Sequence, residues 1–261
     1  MSSKVKRQRP PEPGWRGEPL PRGRHKLSPG AVRASQRERL LRAMLETVGE
    51  RGYEATTVPQ VVATARVSRN AFYELFADKA DCFIALCDDM RRELVGRMLA
   101  FAAEADWLAA LRSGVRDYLH WWADRPAFSR AYFIELPTAG QRAIDQRERA
   151  YAQFRVIFEQ LASRARREQP GLPTLSPLVP RLIVLAVTEV LAEEVRAQRT
   201  HALGTLEDEL VFFGVKELAD DATARRAVGA GAPPRRRLTR SRGRGGRSSS
   251  PVSHPRGRGA E

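Results

Sequence analysis

From Gln36 to Asp221, apolar residues return every three or four positions, and no stretch of useful length alternates apolar with polar. A repeat near 3.6 lays side chains along one face of a helix, whereas a strand needs a repeat of two. The chain is therefore expected to be all-α. Its 261 residues suit one or two domains and are enough to bury a sizeable core.

Punctuation within that pattern divides it into helices. Leu40, Leu41, Met44, Leu45 and Val48 fall on one face, and Gly52 ends this helix. Thr57-Val58-Pro59-Gln60 reads as a helix start, with a Thr cap, Pro in the first turn and Gln three residues after the cap. Val61, Val62 and Ala65 supply its buried face; Ser68 opens a further short helix carrying Ala71, Phe72 and Leu75. Asp78 caps a long helix from about Lys79 to Glu104. Stripes at Leu108–Trp122, Phe128–Leu136 and Tyr151–Leu161 follow, and two more helices are expected at about 177–199 and 205–220.

The net charge of +14 does not belong to this helical body. Residues 1–35 carry nine basic and two acidic side chains, and residues 222–261 eleven arginines and one glutamate. The body between them is slightly acidic. Rich in Pro, Gly, Ser and Arg and lacking an apolar period, residues 1–30 and 222–261 are expected to be disordered basic tails. No apolar stretch approaches the roughly 20 residues of a membrane span, and no secretory segment follows the basic N-terminus. The expectation is a cytoplasmic protein with no membrane partner. Cys82 and Cys87 lie on different faces of one helix, so they read as two separate thiols. The four histidines match no metal spacing, and neither metal nor cofactor is expected.

Three short helices at 36–51, 58–65 and 69–75, with a tight turn at Arg66-Val67-Ser68, have helix-turn-helix proportions. The exposed side chains of the third suit double-stranded DNA. Arg69 can fork onto guanine O6/N7, and Asn70 can pair with adenine N6/N7. Tyr73 and Lys79 can reach phosphates, while Thr57 and Ser68 cap helices whose N-termini would face the backbone.

The run Arg39-Leu40-Leu41, Gly52-Tyr53, Thr56-Thr57-Val58, Val61, Ala65, Val67-Ser68-Arg69, Phe72-Tyr73, Phe76 and Lys79 resembles the DNA-binding domain of the TetR family of bacterial transcriptional regulators. The likeness holds without gaps over some 45 residues; beyond residue 80 it is one of architecture. It implies a helix-turn-helix domain over 31–80 and a helical effector-binding and dimerisation domain over 81–221. It also implies that Arg69 and Asn70 face bases while Thr57, Tyr73 and Lys79 hold phosphates. Two residues depart from the family pattern: Arg66 stands where the turn usually has Gly, and Pro59 sits in the first turn of the second helix. The first costs about 1 kcal/mol if its φ is positive; the second is tolerable.

One helix-turn-helix reads only a few base pairs, so a homodimer is expected. The last two body helices are apolar on more than one face, which suits a dimer interface containing Leu182, Ile183, Leu210 and Phe213; a central core helix explains the pattern too. The middle of the body is rich in aromatic residues. Tyr118, Trp122, Phe128, Tyr132 and Phe154, with His120 or Glu135 as a polar anchor, form a candidate pocket for a small-molecule effector, and a packed core is the alternative. Function then reads as a sequence-specific, ligand-responsive repressor. The other class is a nucleic-acid-coating protein driven by its Arg-rich tails and indifferent to sequence. No nucleophile–base pair or phosphate-binding Gly loop suggests an enzyme.

Overall fold

A computed structural model describes residues 28–100 and 104–229, and among these every regular element is helical. Ten α-helices follow in order. They are α1 Pro29–Arg51, α2 Val58–Ala65, α3 Arg69–Leu75, α4 Lys79–Ala100, α5 Trp107–Ala123, α6 Pro126–Arg130, α7 Gln141–Glu168, α8 Val179–Arg196, α9 Glu207–Leu218 and α10 Asp221–Val228. A π-helical turn, Ala131–Glu135, prolongs α6 and passes into a 3-10 turn, Leu136–Thr138. A second 3-10 segment, Thr200–Leu206, leads into α9.

The small helices close on α1. Leu40, Met44 and Val48 of α1 meet Val61 of α2 and Phe72 of α3, all of them fully buried. Cys82, Phe83 and Leu86 of α4 extend the same core, which continues through Trp121, Trp122 and Phe128 to Leu191 and Leu203. The helix-turn-helix is thus one end of a shared core, not a separately packed unit. A second cluster, with Trp107, Phe158, Val211 and Val215, closes the far end between α5, α7, α8 and α9.

Most of residues 1–30 and 222–261 lie outside the described residues, but the inner ends of the two expected tails are helical. At the first, α1 begins at Pro29 rather than Gln36. Ser28 Oγ accepts from Ala31 N–H at 3.2 Å, and Pro29 takes the first helical position. Residues 29–34 are exposed, so no apolar period marks this turn in the sequence. At the second, Asp220 caps α10 by accepting from Thr223 N–H at 2.6 Å. Only Ala224 of that helix is buried, which leaves a stripe too thin to detect. No helix among the described residues is long and apolar enough to cross a membrane.

Candidate nucleic-acid interface and ligand cavity

The outward face of α3 is built by what its inner face buries. Ala71 and Phe72 are buried, and Phe72 packs edge-on to Tyr73 with ring centroids 5.3 Å apart. That register turns Arg69, Asn70 and Tyr73 to solvent, Tyr73 with 47% of its surface exposed. The Arg69 guanidinium lies 5.6 Å from the Tyr73 ring centroid, a cation–π contact that limits its freedom. Ser68 fixes the start of α3, its Oγ accepting from Ala71 N–H at 3.1 Å. At the exposed start of α2, Thr57 N–H and its hydroxyl both donate to Gln60 Oε1, at 2.8 and 3.0 Å.

Lys79 differs from the expectation. Its ammonium donates to the Tyr53 carbonyl at 2.8 Å and sits 4.1 Å from the Tyr53 ring centroid, and burial lowers its pKa. It ties α4 to the turn after α1, and a phosphate contact would require it to leave that seat. Arg66 has φ 53° and ψ 45°, the left-handed conformation that Gly adopts without cost. The Arg39 guanidinium donates to the carbonyls of both Ala65 and Arg66, satisfying the end of α2 around this strained residue. Arg33, inside the extra turns of α1, donates to the Glu74 carbonyl at the end of α3 at 2.9 Å. Neither Arg33 nor Arg39 stands out as a brace in the sequence, because each acts on a backbone carbonyl some 26 or more residues away.

Behind this head, α4, α5, α7, α8 and α9 enclose a cavity of about 450 Å³. Of the residues named above as pocket candidates, Tyr118, Trp122, Tyr132 and Phe154 line it. Three other candidates do not. Phe128 is stacked against the far side of Trp122, with centroids 5.6 Å apart. His120 is exposed on the outer face of α5, beside Gly204. Glu135 points toward the helix-turn-helix. Ile183, Leu210 and Phe213, expected at a dimer interface, instead belong to the cavity wall. An apolar face announces burial without saying against what, and here these three face inward while Leu182, 51% exposed, faces out. Gly114, Tyr151 and Thr188 also line it and carry no distinguishing mark in the sequence.

Burial raises the pKa of Tyr118, Tyr132 and Tyr151, so these phenols stay protonated and can donate hydrogen bonds. Trp122 Nε1 is buried, and the Tyr118 hydroxyl stands beside it. Among the described residues no cluster of His, Cys, Asp or Glu has metal-binding geometry.

The cavity and the head meet at the π-helical turn. Tyr132 faces the cavity, and three residues on, Glu135 Oε2 accepts from Tyr53 N–H at 2.9 Å while Arg130 donates to Oε1 at 3.0 Å. Tyr53 itself stacks on Phe83 of α4 at 5.0 Å. Gly52 admits the Glu135 carboxylate: its φ is +80°, and a Cβ there would stand 3.2 Å from Oε2. On the opposite side, Arg142 of α7 pairs with Asp78 at 2.7 Å and Asp81 at 3.6 Å, at the entry to α4. The Asp78 carboxyl is held below its usual range, first by the backbone N–H of Asp81 and then by Arg142.

Residues 40–86 match the family model for bacterial regulatory proteins of the tetR family. Over 67 residues the chain is 40% identical to the transcriptional regulator AcuR of Cereibacter sphaeroides, a match covering 26% of this chain and 30% of that protein. The chain thus matches under a third of its curated relative's length. Among solved structures, it is similar to the transcriptional regulator FadR from Bacillus subtilis in complex with stearoyl-CoA. There the TM-score is 0.62 and the identity 16%, over 69% of this chain and 97% of that one. The fatty acid degradation regulator FadR from Bacillus halodurans gives a TM-score of 0.61 at 16% identity, over 68% and 97% of the two chains. At such identities the likeness is one of fold.

Proposed function

We propose that the chain, whose residues 40–86 match the tetR family of bacterial regulatory proteins, is a sequence-specific DNA-binding regulator of that family that acts as a homodimeric, ligand-responsive repressor in the cytoplasm. The observation that carries this reading is the outward face of α3. Arg69, Asn70 and Tyr73 are exposed together on a helix whose other face is locked into the core by Phe72. Arg69 and Asn70 read base edges; Tyr73, Thr57 and the cap at Ser68 serve the phosphates. Arg66, exposed in the turn, adds a cation beside them.

Two heads need a dimer, and the outer face of α8 offers one. Leu178, Leu182, Leu185 and Val190 are between 37% and 53% exposed, an apolar set left uncovered by the other described residues. The likeness in fold to a regulator that holds stearoyl-CoA supports the cavity as the effector site. A ligand that displaces Tyr132 would act through Glu135 on Tyr53 and so on the angle between head and body. It can do so only by binding the two geometries with different affinity.

The test is selection of bound genomic fragments followed by Arg69→Ala on the selected site. The substitution is expected to cost on the order of 1–3 kcal/mol there and to relax base preference, while leaving random DNA nearly unaffected. Equal losses on both would instead favour a nucleic-acid-coating protein driven by its Arg-rich ends. Sedimentation of the full chain checks the dimer, with Leu182→Glu expected to yield monomers.

A further inference from the structure

The helix that faces outward on the head is short and buries little of itself. α3 has seven residues, of which Ala71 and Phe72 are buried. Helices of fewer than about 12–15 residues are marginal by themselves, and one ring seated near the middle resists sliding better than it resists tilt. Side chains that pair with a base edge must nonetheless be held to within about 0.5 Å and 10–20° of their working geometry. Phe72 alone does not meet that demand at both ends of the helix.

Two guanidinium groups of α1 reach those ends. In the turn before α3, Arg39 Nη2 donates to the carbonyls of both Ala65 and Arg66, so the left-handed Arg66 is fixed through its own backbone. In the last turn of α3, Arg33 Nη2 donates to the Glu74 carbonyl at 2.9 Å. The final carbonyls of a helix lack partners within it, and a cation suits that end. The base from which Arg33 acts is itself fastened. Residues 29–34 are exposed, yet one turn on, Arg37 donates to both carboxylate oxygens of Asp89 on α4, at 2.5 and 3.0 Å. The first turns of α1 thus bury little surface but are tied to α3 on one side and to α4 on the other.

Building on the reading of α3 as the base-reading helix, we propose that Arg33 and Arg39 are positioning residues for base recognition. Acting on carbonyls in the turn before α3 and in its last turn, they set the angle at which Arg69 and Asn70 enter the groove. They therefore govern preference among sequences and contribute little to the general attraction for DNA. An Nη group has two N–H donors, and on Arg39 Nη2 both are occupied by carbonyls. The other use of an exposed arginine on this head is a phosphate contact. It gives the opposite pattern, a uniform loss across sequences and a shallower dependence on salt.

The experiment uses the full chain with Arg33→Ala, Arg39→Ala and both together. Affinity is measured over a range of salt for a genomic fragment selected by the unaltered protein and for a random-sequence duplex of the same length. The ratio of the two affinities is expected to fall about tenfold in the double variant, the scale of one paired base contact, and by part of that in each single variant. Affinity for the random duplex and its salt slope should stay as they were. In the free chain, amide exchange over residues 69–75 should quicken while that of α4 does not. In an Arg69→Ala background the double substitution should cost less preference, because one of the side chains it aims is gone. Arg33→Ala lies in an exposed turn and places a good helix former there, so it retains the fold if Arg39→Ala does not. Equal losses on both duplexes, with the salt slope reduced by about one per arginine, mark phosphate contacts and overturn the proposal. Unchanged exchange in α3 overturns it too, as does faster exchange with full preference kept. Arg69→Ala alone separates the two readings. If it weakens both duplexes equally, base reading by α3 itself falls; if it relaxes preference while the α1 variants do not, only the role of Arg33 and Arg39 falls.

Discussion

The head and the body of this molecule are made of the same materials and packed to opposite ends. Around α1, α2 and α3, Leu40, Met44, Val48, Val61 and Phe72 are fully buried against one another. Around α5, α7 and α8, an equally apolar set of side chains stands back from itself and leaves about 450 Å³. Interiors normally pack to crystal-like density, so a hole of this size forfeits contacts that its lining could otherwise make. The head presents a fixed outer surface; the body leaves space inside.

The largest effect should come from testing this contrast directly. Phe72→Ala is expected to lose about 3–5 kcal/mol of stability, and Phe154→Ala on the cavity wall clearly less, because part of its ring already faces empty space. Urea unfolding of both variants checks this, and equal losses would show the cavity wall to be as tightly held as the head. Next comes the bridge. Glu135→Ala strands the buried Tyr53 N–H and should cost about 1–3 kcal/mol. In a fragment-binding assay it should also reduce the difference between liganded and unliganded affinity. Unchanged coupling with reduced stability would confine Glu135 to a structural role.

Arg66→Gly should raise the melting temperature, with up to about 1 kcal/mol gained by relieving the left-handed conformation, offset in part by the freedom of Gly in the unfolded chain. A drop in DNA affinity alongside that gain would show that the guanidinium touches phosphate. The smallest effect on stability is expected from Val184→Phe. Overpacking of a full core typically costs 1–3 kcal/mol, whereas here the added ring enters a cavity and should change stability by under about 1 kcal/mol. A large loss would mean that the body collapses around less space than its static outline suggests.

What the sequence made legible follows the same division. The bounds of α2 and α3 are written in Thr57, Pro59 and Ser68, residues that act on their own helix within three positions. Exposure of Arg69, Asn70 and Tyr73 follows from the burial of Phe72 by helical spacing alone. Local rules sufficed there. In the body they do not. Ile183 and Leu182 are neighbours of similar character, and only the placement of α5 and α7 decides that one faces the cavity and the other solvent. His120 and Glu135 were chemically reasonable anchors, yet each points away because its helix is turned by contacts remote in sequence. The start of α1 was marked by Ser28-Pro29, a cap and a first-turn proline, but it hid in a stretch whose composition spoke for a tail. The π-helical turn has no local signature, though it is the piece that joins cavity to head.

Cys82 and Cys87, both on α4, are buried to 2% exposure or less, and burial pushes both thiols well above their usual range. Sulfur reacts as thiolate, so in the closed molecule neither should meet an alkylating reagent at a useful rate. Modification must wait for α4 to lift from its neighbours, α1 beside Cys82 and the π-helical turn beside Cys87, and its half-time then counts those excursions. The chain thereby carries a native chronometer at the joint between its two regions. Mass spectrometry of alkylated protein, with and without a cavity ligand, would read from it how firmly an occupant fastens one region to the other.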